Sequence, residues 1–302
     1  TDDPEARLRQ VMEEAQLKAV VGLQASLNPL HFQSTTTARI ELDEEALLRQ
    51  ITLPPPPLDL SELTETVPLY ILFTSGSTGR PKGVPIDSHN VGEFSTWARD
   101  HFAIMPSDIF LGLTRLTFDL SVFNIFLPMW CGASVQIARQ VIEQMNPTRL
   151  LEKGVTVALT VPRITGLVFD EQIVQEPKCF PQLRHLLFCG EQLFAAQIHQ
   201  WMMRNPRLHV HNCYGPTEAT VACTCQSFAP GDVVTDPVSI GRALPGQRME
   251  ILLENGLALD GAGQGELVIS GSQVSRFVYW RTASNRFFDD PKNGRSFRSG
   301  DI

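Results

Sequence analysis

From residue 90 to residue 212 the chain alternates short apolar runs with longer amphipathic ones, and few folds accommodate that order. The runs 108–113, 133–138, 155–160, 184–189 and 208–212 have the length and apolar character of strands. The stretches 90–101, 119–130, 163–170 and 195–204 carry helical spacing. Strands separated by helices build a mostly parallel sheet with helices on its faces. In such sheets ligands gather at the carboxyl ends of the strands. Upstream, Asp2 or Asp3 caps a first helix with Pro4 in its first turn, and residues 18–22 read as a short strand. Residues 30–68 are polar and proline-rich, with Pro54-Pro55-Pro56-Pro57 as a stiff extended linker. Past residue 222 the helical period disappears and Pro-Gly and Asn-Gly turns punctuate short runs, which predicts a small all-β part. The division is therefore an α/β core over 1–222 and a small β subdomain over 223–302.

The apolar run Leu69-Tyr70-Ile71-Leu72-Phe73 reads as a buried strand, and it delivers the loop Thr74-Ser75-Gly76-Ser77-Thr78-Gly79-Arg80-Pro81-Lys82-Gly83. Glycines let backbone N–H groups approach a ligand closely, hydroxyls add donors, and successive amides make a nest for an anion. Lys82 closes the loop with a positive charge. The spacing is not that of the ordinary P-loop, because Pro81 stands where that motif needs glycine and Gly83 follows the lysine. A flexible Ser/Gly-rich turn is the alternative for this loop taken alone.

Composition narrows the partners. The 302 residues are 43% hydrophobic and 19% charged, a globular balance, with a net charge of −8 from 25 basic and 33 acidic residues. No basic run invites nucleic acid or an anionic membrane, and no apolar stretch has the length of a spanning helix. The six cysteines are scattered and form no paired zinc spacing, which fits reduced thiols and a cytoplasmic location. The seven histidines form no catalytic or metal-binding spacing, and His209-Val210-His211 reads as structural.

Four ordered stretches carry a resemblance. Leu69–Val84 is similar to the phosphate-binding signature of the adenylate-forming superfamily, and Phe118-Asp119-Leu120-Ser121 resembles the substrate-amine motif of nonribosomal peptide synthetase adenylation domains. Asn212-Cys213-Tyr214-Gly215-Pro216-Thr217-Glu218 matches their adenine and magnesium motif, and Phe297-Arg298-Ser299-Gly300-Asp301 resembles their ribose motif. Gly265–Gly271 is similar to a further core motif, but Arg276-Phe277-Val278-Tyr279 stands where Arg-Gly-Tyr is usual, a departure read as one of packing alone. The resemblance implies stacked α/β layers with mostly parallel sheets plus a small distorted β-barrel subdomain. Residues 4–21 resemble a segment internal to the family's usual chain. The resemblance thus implies that the family's N-terminal start and its C-terminal lid, with the lid's catalytic lysine, are outside this sequence, and that turnover is low without them.

The same resemblance assigns roles. Thr74, Ser75, Gly76, Ser77, Thr78 and Gly79 would embrace the phosphates of ATP, with Lys82 as counter-charge, Thr217 at the α-phosphate and Glu218 holding Mg²⁺. Tyr214 would stack on adenine, Asn212 would bond its edge, Gly190 would leave space for the ring, and Asp301 would accept from the ribose hydroxyls. Helix capping is the structural alternative for Thr217 and for Asp119. Asp119 precedes an apolar helix, where an unpaired carboxylate is costly, and the resemblance pairs it with the α-ammonium of an amino acid. Leu120, Phe123, Leu159, Leu187, Cys189, Cys213, Val221 and Ala222 would line a side-chain pocket without charge, which implies an apolar amino acid. The implied reaction is ATP-dependent formation of an aminoacyl-adenylate for transfer to a peptidyl carrier protein, with a small accessory activator protein as a further possible partner. An acyl- or aryl-CoA synthetase, which has no need of Asp119, and a protein that binds ATP and amino acid without efficient turnover are the alternatives.

Overall fold

A computed structural model of the protein describes residues 5–23, 27, 37–43, 45, 46, 49, 67–75, 80–138, 148–169 and 179–302. Gly76–Gly79 of the phosphate loop and the proline run 54–57 lie outside the described residues. In chain order the elements are α1 (Glu5–Ala15), β1 (Ala19–Leu23), β2 (Ala38–Leu42), β3 (Tyr70–Ser75), β4 (Pro81–Ile86) and α2 (Ser88–His101). Then follow β5 (Ile109–Gly112), α3 (Leu120–Cys131), β6 (Ser134–Ile137), α4 (Thr148–Leu151), β7 (Val157–Thr160), α5 (Ile164–Phe169) and β8 (His185–Phe188). The chain continues through α6 (Ala195–Arg204), β9 (His209–Tyr214), a 3₁₀ turn at Thr217–Ala219, β10 (Thr224–Phe228) and β11 (Arg242–Ala243). It closes with β12 (Gln247–Leu252), β13 (Glu266–Gly271), β14 (Phe287–Asp290) and β15 (Gly294–Arg298).

The predicted alternation produces the predicted sheet. Strands β6, β5, β7, β8 and β9 lie side by side in that order, all parallel. Along them successive side chains face opposite sides, as the pleat requires. Phe110, Leu159, Leu187 and Cys213 enter one buried cluster with α2, α3 and β4. Leu111, Ala158, Leu186, Phe188 and Val210 enter the other, against α5 and α6. Both faces are covered, so the strands read as continuous apolar runs rather than alternating ones. Helix α2 begins on a reciprocal capping box between Asp87 and Asn90, and α3 ends on Gly132 in the left-handed conformation.

Three expectations need correction. The strand that delivers the phosphate loop is half-buried, and it forms an antiparallel hairpin with β4 outside the central sheet. The boundary at 222 cuts through that sheet: β10 pairs antiparallel with β9, and β11 extends it to seven strands. The separate all-β part begins at Gln247 and is a four-stranded antiparallel sheet in the order β12-β13-β15-β14. Short strands punctuated by glycine look alike in sequence whether they edge a large sheet or start a small one.

Candidate active site

The hairpin β3–β4 sets the phosphate end. Thr74 lies opposite Lys82 and Ser75 opposite Pro81, so the intervening loop is the hairpin's tip. The Thr74 hydroxyl donates to the Lys82 carbonyl at 3.5 Å. The Lys82 Nζ sits 5.2 Å from the centre of the Tyr279 ring, within range of a cation–π contact. On its other side the Tyr279 hydroxyl donates to Glu218 Oε1 at 2.6 Å, and burial together with Glu218 holds that phenol well above its usual range. One buried tyrosine thus joins Lys82 to Glu218. The stretch 276–279, read in sequence as a matter of packing, thus contacts two candidate site residues, Lys82 and Glu218. Its Arg276 also pairs with the buried Asp87 at 3.5 Å.

Between β9 and β10 the chain makes the turn that presents Thr217 and Glu218. A Cβ on Gly215 would meet the backbone of Ala222 at 2.6 Å, so the turn closes only because that residue has no side chain. Thr220 and Val221 both take positive φ, +57° and +69°, and for a β-branched residue such as Val221 this is a strained conformation. Thr217 does not cap the 3₁₀ turn, whose N-cap is Pro216. Its hydroxyl bonds the carboxylate of Asp119 instead. Asp119 in turn stands at the head of α3 without making a side-chain cap, which removes the capping alternative. Burial is the largest influence on its carboxyl, and with a smaller push from Glu218 it outweighs the bonds from Thr217 and the Leu120 amide, leaving the group pushed up to about 6.

All eight predicted pocket residues, Leu120, Phe123, Leu159, Leu187, Cys189, Cys213, Val221 and Ala222, are buried in one apolar cluster beside Asp119. The Cys189 thiol donates to the Val221 carbonyl at 3.8 Å and so fixes the strained residue. Tyr70, which the sequence reading passed over, packs half-buried against the same cluster and on Phe126. Its hydroxyl finds no protein partner, and burial followed by the Asp119 charge holds it well above the usual phenol range. Only its place in an apolar strand was visible in sequence.

The nucleoside residues assemble partly. The Tyr214 hydroxyl donates to Asp301 Oδ2, bringing the adenine and ribose motifs together across the two sheets. Asp301 is held by its carbonyl, which accepts from the Leu267 amide at 2.9 Å, while Arg298 pairs with Glu266 at 2.7 Å. Asn212 is buried and gives its amide N–H to the Ser239 carbonyl at 3.0 Å, an engagement the motif alone does not show. Gly190 takes φ +89° directly after Cys189.

Residues 1–280 match the family model described as AMP-binding enzyme. The chain belongs to this family. An AMP-binding enzyme named D-alanine–D-alanyl carrier protein ligase from Bacillus licheniformis is 31% identical over 77% of this chain and 47% of its own length. Tyrocidine synthase 2 of Brevibacillus parabrevis is 29% identical over all of this chain and 8% of its own. Among solved structures, the Vibrio cholerae adenylation domain AlmE in complex with glycyl-adenosine-5'-phosphate superposes with a TM-score of 0.74 at 27% identity, over 98% of this chain and 56% of that one. The nonribosomal peptide synthetase FmoA3 gives a TM-score of 0.80 at 22% identity over 99% of this chain and 32% of that one, and speaks for the fold. The chain spans about half the length of the carrier-protein ligases it matches. The expected adenylation-domain fold is the observed one.

Within this AMP-binding chain the site gathers residues from four places: the hairpin, the head of α3, the β9–β10 turn and the segment after β13. His185 and His209 open β8 and β9 at the N-terminal ends of those strands.

Proposed function

We propose that the protein uses ATP to activate an apolar α-amino acid as its adenylate, for transfer to the phosphopantetheine thiol of a carrier protein in nonribosomal peptide synthesis. The observation that carries this is Asp119. It is a carboxylate pushed up to about 6 beside a buried apolar cluster that holds all eight residues of the proposed pocket, none of them charged. An α-ammonium entering there finds an anion whose ionisation burial has made unfavourable, and each charge relieves the other's desolvation. The apolar lining rejects a polar side chain, which would be desolvated without compensation. Two of the similar proteins agree with a small apolar substrate, one a D-alanine–D-alanyl carrier protein ligase and the other solved with glycyl-adenosine-5'-phosphate.

In this reading Thr74, Ser75 and the loop 76–79 bind the phosphates with Lys82 neutralising them, Tyr214 stacks on adenine, and Asp301 accepts from the ribose. Glu218 suits Mg²⁺ by its hard oxygen donors, and its charge is one of the influences that raise the Asp119 carboxyl. When bound there, the ion would neutralise phosphate charge. Tyr279 orients Glu218 through its 2.6 Å bond, and Thr217 links the amine-binding carboxylate to the phosphate side. No helix among the described residues is long and apolar enough to cross a membrane, and this reading places the protein in the cytoplasm.

The test is ATP–pyrophosphate exchange across a panel of amino acids and their des-amino analogues. Exchange should depend on an apolar α-amino acid, and the matching des-amino acids should be poor substrates. Equal exchange with the des-amino acids would overturn the amino-acid reading in favour of an acyl-CoA synthetase.

A further inference from the structure

Beside β9 and β10 of the central sheet, side chains remote in sequence converge. His101 ends α2, His211 lies in β9, and Cys225 lies in β10; one donor atom from each falls within 4.8 Å of the other two. The Ser227 hydroxyl sits among them, 2.8 Å from His211 Nδ1, 3.2 Å from His101 Nε2 and 3.9 Å from Cys225 Sγ. We propose that His101, His211 and Cys225 form a binding site for a divalent transition-metal ion of the zinc class, with its fourth position open to solvent. None of the three ligands belongs to the proposed amino-acid pocket or the phosphate loop, and only Cys213 touches both, so the inference does not rest on the proposed function.

The donor set selects the ion. Two imidazole nitrogens and a thiolate suit zinc and its neighbours, whereas magnesium and calcium take oxygen ligands. Three protein ligands with a vacant fourth position is also the arrangement that leaves such an ion accessible. Bonds of about 2.0–2.3 Å need the donors somewhat closer than 4.8 Å, and His101, exposed at the helix end, is free to close that gap.

Outer contacts hold the other two ligands in place. With a metal on Nδ1, His211 keeps its proton on Nε2, where His185 Nδ1 stands 3.1 Å away to accept it. The Cys213 thiol points at Cys225 Sγ from 3.7 Å on the adjacent strand and would donate to a bound thiolate. Partners of this kind orient metal ligands and fix the tautomer. The His211 ring is also wedged: Phe102 packs 4.8 Å from it. An ion has a way in, because a groove of about 630 Å³ lined by Glu93, Asp100, Arg242 and Pro245 opens onto His101 and Cys225.

The competing account is a hydrogen-bonded knot centred on Ser227 with no ion. Tag-free, reduced protein cleared of metal by a chelator should be titrated with Zn²⁺ alone by calorimetry and with Co²⁺ alone by absorption. We expect one equivalent of either ion to bind, and Co²⁺ to show a thiolate-to-metal charge-transfer band. Cys225→Ser should remove the band, and the exposed-site variant His101→Ala should weaken binding on the order of 10–100-fold or more. Ser227→Ala and Glu218→Gln should leave affinity unchanged. The proposal is overturned by the absence of saturable binding, by binding that survives both Cys225→Ser and His101→Ala, or by loss of binding in Ser227→Ala or Glu218→Gln. Circular dichroism of each variant separates lost ligands from lost fold.

Discussion

Asp119 illustrates how a single residue can oppose stability while serving a site. Its carboxyl, pushed up to about 6 from an ordinary 3.8, forms no ion pair among the described residues. A carboxyl raised on folding contributes stability that is complete below the unfolded value of 3.8 and is lost as pH rises through about 6. Asp119→Asn should therefore be more stable than the parent near neutral pH, by about 1–3 kcal/mol, and the difference should vanish near pH 4. Amino-acid affinity in the parent should fall as pH drops through the same window, and the asparagine variant should bind amino acid poorly throughout. Thermal melts and calorimetry across pH check both; a variant that melts no higher than the parent at neutral pH would show that burial does not penalise this charge. Asp119 stood out in sequence as a carboxylate before an apolar helix, while Thr217 and Glu218 were singled out through the resemblance of the motif 212–218. Tyr279 was not, because its partner Glu218 lies 61 residues away and nothing in the local pattern announces the pairing.

At the scale of elements, apolar periodicity located the parallel strands and helices to within a few residues, since both faces of the sheet are buried and each strand reads as an unbroken run. Partner choice was less accessible. Strands β10 and β11 look local and join the large sheet, while β3 looks like a sheet strand and forms a hairpin with β4. The β9–β10 turn is where an element limits the site. Its closure depends on Gly215, whose missing side chain admits Ala222 Cα to within 2.6 Å and the Cys223 amide nitrogen to within 2.9 Å of the Cβ position. Because both obstacles are backbone, neither can rotate away. Gly215→Ala should cost at least about 1–3 kcal/mol, the usual penalty of overpacking, and should displace Thr217 and Glu218 together. Denaturant unfolding and Mg²⁺-ATP titration read the two effects; a variant with parental stability and nucleotide affinity would show that the turn has room the geometry denies.

At the scale of the whole molecule, the segment from Ser272 to Trp280 ties together α2, the β3–β4 hairpin, the β9–β10 turn and β15. Asn90, in the first turn of α2, donates to the Ser272 carbonyl at 2.7 Å and to the Val274 carbonyl at 3.3 Å. Thr220 donates to Gln273 at 2.7 Å, the Ser275 hydroxyl to Pro85 at 2.6 Å, and the Ser275 amide to the Glu218 carbonyl at 2.8 Å. The Trp280 amide reaches the Gly83 carbonyl at 2.7 Å, and Arg295 of β15 holds the Ser275 and Phe277 carbonyls. If the segment acts as one strap, a change at its α2 end must be felt at its Glu218 end. Asn90→Ala removes two strap bonds and half of a capping box, at a cost of about 2–4 kcal/mol in stability. Tyr279→Phe removes only the hydroxyl that orients Glu218, and should weaken Mg²⁺-ATP binding by about 1.5–3 kcal/mol, the range for a bond to a charged group. A double-mutant cycle on Mg²⁺-ATP affinity then decides the matter. Coupling above about 0.5 kcal/mol, with the double variant less affected than the sum, is the outcome for a strap that positions Tyr279 through Asn90. Additive effects, within about 0.3–0.5 kcal/mol, would mean that the two ends hold their neighbours independently and that the tyrosine is set by β4 and the 3₁₀ turn alone.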